Sequence, residues 1–134
     1  MSHMVDKGMV NGWQLTHTFI RTKVEGKEGV DNNSPFPKLP FFIFDKVGER
    51  FNIPGFDIYR VKANLKPQII GANLNNFDTP HRDVYVGECL VMIYYVHDSD
   101  GDTFIFDEDM NIVDSISPRK GRMVVMKNTV QNKE

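Results

Sequence analysis

The sequence predicts a mainly β fold, a jelly roll or small barrel that carries one helix in its first half. Three observations lead there. Two early segments, Trp13–Arg21 and Phe56–Leu65, alternate polar and apolar residues with the period of a half-buried strand. Only one stretch, from Leu39 to Phe51, has helical spacing. From His81 onward, short apolar runs follow one another closely, separated by clusters of Asp, Ser, Gly and Pro.

The bulk properties suit that class. A chain of 134 residues accommodates one domain over 1–134 with a core of its own. Met1-Ser2-His3-Met4 reads as a cloning remnant and is set aside. The net charge is −2, which gives no broad attraction for nucleic acid or an anionic membrane, so neither is expected as a partner. No apolar run approaches the ~20 residues that span a bilayer, and no secretory leader opens the chain, so a cytoplasmic location is the expectation. Cys89, the one cysteine, lies in the run Cys89-Leu90-Val91-Met92-Ile93 and reads as a small hydrophobe.

Along the first strand, Trp13, Leu15, His17 and Phe19 fall on one face and Thr16, Thr18 and Ile20 on the other. Residues 23–38 collect glycines, charges, Asn32-Asn33, Pro35 and Pro37, the composition of a solvated loop. In the helix, Phe44, Val47 and Phe51 share a stripe, while Asp45, Lys46, Glu49 and Arg50 occupy the rest of its surface. Pro40 suits its first turn, and Pro54-Gly55 ends it. The next strand sets Ile58, Arg60, Lys62 and Asn64 against Tyr59, Val61, Ala63 and Leu65. After a loop rich in Gly and Asn come five strand candidates: 81–86, 89–96, 103–106, 112–116 and 122–126. Residues 98–101, 107–109 and 117–121 supply turns between them.

His81-Arg82-Asp83 carries the chemical signal. A strand sends alternate side chains to one face, so the imidazole and the carboxylate point together. One His and one carboxylate, completed by a second His, form the facial set that holds ferrous iron and leaves positions open for oxygen and a co-substrate. The triplet alone is a weak pattern, far more often polar residues that open a strand.

Its context resembles a family. Phe56–Leu65, then Thr79-Pro80-His81-Arg82-Asp83, Leu90–Val96, Gly101-Asp102-Thr103-Phe104 and Pro118-Arg119-Lys120-Gly121-Arg122 look like successive blocks of the iron(II)- and 2-oxoglutarate-dependent dioxygenases. The likeness is to the prolyl-hydroxylase-like branch, especially its small phage-encoded members. It implies a double-stranded β-helix of cupin-like jelly-roll form, with His81 and Asp83 as iron ligands and catalytic residues. It also implies that Gly101-Asp102-Thr103 takes the place of the Gly-Gly-x-Thr turn, and that Gly121-Arg122 opens the strand towards the distal His. The cofactors implied are Fe(II), 2-oxoglutarate as co-substrate and dioxygen, with ascorbate as an accessory reductant. The reaction implied is oxidative decarboxylation of 2-oxoglutarate coupled to hydroxylation of a peptide or small-molecule substrate. If phage-encoded, the chain belongs in the host cytoplasm.

The sequence departs from that pattern at its end. The distal His position falls at Asn132, whose amide is a poor iron ligand, and no Arg or Lys follows to pair with the far carboxylate of 2-oxoglutarate. The expectation is a chain truncated at its C-terminus, with sheet edges through which it can oligomerise. The third iron ligand is left unassigned; His17 is the internal candidate, and His97 reads as a solvated turn residue. Tyr94-Tyr95 places one tyrosine on each sheet face, and Tyr94 is taken as a candidate co-substrate residue beside core packing as its ordinary role. Asn64, on the face of Arg60 and Lys62, is a second candidate, with an exposed sheet face as the plain alternative. The acidic residues 98–102 lack the terminal Glu of a calcium loop and read as a hairpin turn. Phe36, Phe41, Phe42 and Phe44 read as core rather than a stacking platform, since no basic stripe accompanies them. The functional alternative is a non-catalytic β-helix binding module, or a truncated fragment, that has lost its metal centre.

Overall fold

A computed structural model describes residues 12–21, 34–36, 38–55, 57–71, 77–81 and 89–128. It is mainly β with one helix, in small antiparallel sheets. The chain divides into two compact units, residues 13–68 in one and 1–12 with 69–134 in the other.

The first unit holds β1 (Leu15–Arg21), α1 (Phe41–Phe51) and β2 (Arg60–Leu65). β1 and β2 pair antiparallel, with Leu15 opposite Leu65, Thr16 opposite Asn64 and His17 opposite Ala63. An irregularity between Thr18 and Ile20 shifts the register, so Ile20 meets Val61. Val61 alternates in step with Ala63 and Leu65, and this puts Ile20 on the face of Leu15 and His17 rather than with Thr16 and Thr18. Strict alternation had assigned the opposite face; one extra residue in a strand reverses every assignment beyond it.

α1 starts at Pro40, whose φ of −75° already suits a helix and whose missing N–H costs nothing there. The helix stops at Phe51, before Pro54-Gly55. Asn52 adopts the left-handed conformation (φ 54°, ψ 45°), and the amide of Ile53 donates to the Gly48 carbonyl at 2.9 Å, closing the end. Val47 is the buried hydrophobic residue among those described, at 3% exposure. Ile43 and Phe44, at the spacing that shares its face, are half-buried. Phe41 and Phe42 are exposed, so that part of the aromatic run does not belong to a packed core.

The second unit contains β3 (Cys89–Tyr94), β4 (Thr103–Phe106), β5 (Ile112–Ile116) and β6 (Met123–Asn128). β3 pairs with β6 from Cys89–Asn128 to Tyr94–Met123, and β4 with β5 from Thr103–Ile116 to Phe106–Ile112. β3 and β6 pair although the β4–β5 hairpin lies between them in sequence, and each pair forms a two-stranded sheet of its own. Beyond Tyr94 the ladder continues through Tyr95 N–H to Arg122 O (3.0 Å) and Gly121 N–H to Tyr95 O (2.8 Å). The turn at 119–122 closes with Arg122 N–H on Arg119 O (2.9 Å), and Gly121 stands third in it at φ +80°, the position a type II turn reserves for glycine. Phe77 packs against Phe104 and Phe106, at centroid distances of 5.9 and 5.1 Å.

The β4–β5 turn is built by Asp107. Its Oδ1 accepts the amides of Asp109 (3.0 Å) and Asn111 (2.8 Å), and its Oδ2 accepts Asn111 Nδ2 (3.2 Å). Those donors, the Asn111 amide foremost, hold the Asp107 carboxyl below its ordinary range. Met110 completes the loop at φ +66°, where Gly or Asn is the usual occupant. Among the described residues no helix is long and apolar enough to cross a membrane.

Candidate functional site

His81 is exposed and follows Pro80, which is half-buried. Its Nδ1 lies 3.2 Å from the Thr79 carbonyl oxygen. A carbonyl only accepts, so Nδ1 carries the hydrogen, and in the neutral ring the lone pair then resides on Nε2. This is the tautomer of a histidine that ligates a metal through Nε2, where a backbone carbonyl commonly fixes the ring. The proline confines the approach of the chain, and the Thr79 carbonyl, two residues back, sets the ring orientation.

Asp83 and Asn132 lie outside the described residues, as does the strand expected at 81–86 apart from His81 itself. Among the described residues no group of three His, Cys, Asp or Glu gathers to hold a metal. Of the other histidines, His17 is in the first unit with Nε2 2.9 Å from Ser34 Oγ, and its ring meets Phe19 edge-on at 4.8 Å. His97 sits in an exposed bend after β3, as its place after the apolar run suggests.

The co-substrate candidates fall in different units. Asn64 is exposed on β2, and its Oδ1 accepts the Thr16 hydroxyl across the ladder at 3.1 Å, a cross-strand pair that accounts for its amide. Tyr94 ends β3 opposite Met123 and is 38% exposed. Its neighbour Tyr95 is half-buried, and its hydroxyl donates to Thr103 Oγ1 at 2.7 Å. This contact joins the end of β3 to the Gly101-Asp102-Thr103 turn. Reading the sequence singled out the turn and the tyrosine pair separately. The available signal was that residues 95 and 103 bracket one short hairpin-like excursion, with a hydroxyl at each end.

No protein-family model, curated protein or solved structure matches this chain.

The acidic loop is accounted for by its own hydrogen bonds. Asp98 Oδ1 accepts the Lys120 amide (2.8 Å), Asp102 Oδ2 accepts the Ser115 hydroxyl (2.8 Å), and the Ser99 hydroxyl receives the Gly101 amide (3.3 Å). Asp98, Ser99, Asp100, Asp102, Ser117 and Arg119 line an open depression of about 410 Å³. It is a wide mouth between two turns rather than a closed pocket, and His81 is not among its walls. Arg122 is directed elsewhere, with Nη1 donating to the Ser117 carbonyl at 2.7 Å.

Proposed function

We propose that the chain is a hydroxylase-type Fe(II)- and 2-oxoglutarate-dependent oxygenase domain on a double-stranded β-helix. The observation that carries the reading is the hydrogen bond from His81 Nδ1 to the Thr79 carbonyl, which prepares Nε2 to ligate a metal. His81 offers one nitrogen ligand, and Asp83, two residues along the sequence, would supply the carboxylate of the pair. When bound, Fe(II) supplies the activation of dioxygen that couples 2-oxoglutarate decarboxylation to substrate hydroxylation.

What falls to the chain's own residues is to bind and to orient. His81 and Asp83 would hold the ion, and such a ligand pair would leave positions open for small molecules. Tyr95 and Thr103 hold two hydroxyl hydrogens between them, and the bond joining them uses one. The second is directed by that bond and is suited to donate to a co-substrate carboxylate. Thr103 thus joins Tyr94 as a candidate co-substrate residue, since Tyr95 spends its own hydroxyl hydrogen on Thr103 Oγ1 and the remaining one is the threonine's.

The second reading, a β-helix binding module without a metal centre, is favoured by the amide at Asn132 where the family places its distal His. Anaerobic titration of the whole chain with ferrous iron and 2-oxoglutarate separates the two. The oxygenase reading expects the weak visible charge-transfer band of the chelate, succinate on admitting oxygen, and loss of both in His81→Ala while cooperative unfolding is retained. A folded chain that gives neither band nor succinate belongs to the second reading.

A further inference from the structure

We draw no further inference here: the strongest candidate, the exposed apolar face that Leu15 and its cross-strand partner Leu65 form on the β1–β2 ribbon, beside exposed Trp13, carries nothing because nothing in the structure shows what covers it.

Discussion

The hydroxyl pair Tyr95–Thr103 makes a quantitative prediction. The 2.7 Å O–H···O contact is half-buried and spans eight residues, from the end of β3 to the start of β4. An intramolecular hydrogen bond of this kind contributes a net ~0.5–1.5 kcal/mol, and removing one partner also leaves the other hydroxyl without it in a partly dry site. Tyr95→Phe and Thr103→Val each preserve shape, so each should cost about 1 kcal/mol. The double variant should cost little more than either one, because the same bond is lost only once. The coupling energy is therefore about 1 kcal/mol. In a domain of this size that corresponds to a fall of roughly 4 °C in Tm for either single variant. Urea titrations of the four proteins at equal m measure the cycle. If the two costs simply add, within ~0.3 kcal/mol, the hydroxyls do not interact in solution, and the geometry that ties β3 to the Gly101-Asp102-Thr103 turn is wrong.

Three further outcomes follow from backbone and charge. Gly121→Ala meets no neighbouring atom within 4 Å but must hold φ near +80°, so it should destabilise by about 1 kcal/mol; Gly55→Ala, equally uncrowded and without positive φ, should be neutral or slightly stabilising, and equal effects in the two melting curves would refute the turn assignment. Met110→Gly relieves a left-handed residue at the cost of unfolded-chain entropy and should raise stability by about 0.5 kcal/mol, whereas a loss above ~1 kcal/mol would mean that the Met110 side chain, not its backbone, governs the loop. The folded state of Asp107 holds its carboxyl below the ordinary 3.8, so its contribution to stability is complete above that pH and is lost as pH falls from 3.8 through the lower folded value. NMR titration should place its midpoint below 3.8, and Asp107→Asn should flatten the acid limb of stability; a midpoint at or above 3.8 contradicts the turn geometry.

Local pattern made most elements legible. Residues 103–106 and 112–116 form the strands that their β-branched and aromatic content predicts, because Asp107 and its neighbours are turn formers with one good solution. The helix was equally visible from the spacing of Phe44, Val47 and Phe51. Its last apolar residue, Phe51, is also its last residue in the structure, but the stop is made by the left-handed Asn52 rather than by the Pro54-Gly55 that the composition points to. The face of Ile20 was misread because a register shift leaves no compositional mark: Thr16, Thr18 and Ile20 alternate whether or not a residue is inserted between them. Of the candidate site, only His81 can be compared with the structure, since Asp83 lies outside the described residues. Pro80-His81 gave the imidazole, but a tautomer depends on which carbonyl the ring meets, and that is a matter of three dimensions.

The connection between the turn at 119–122 and Tyr95 shows how backbone stability and the proposed chemistry depend on one another. Gly121 donates to the Tyr95 carbonyl and Tyr95 donates to the Arg122 carbonyl, so the backbone of Tyr95 is held from both sides by a turn that only a left-handed residue can close. The Tyr95 hydroxyl in turn fixes Thr103. Strain placed at Gly121 therefore has a defined route to Thr103, through two backbone hydrogen bonds and one aromatic side chain. A displacement of even 1 Å at the hydroxyl pair forfeits a 2.7 Å hydrogen bond. Gly121→Ala should accordingly lower the Tyr95–Thr103 coupling energy as well as overall stability. Gly55→Ala, at a glycine without positive φ, is the control and should leave the coupling intact.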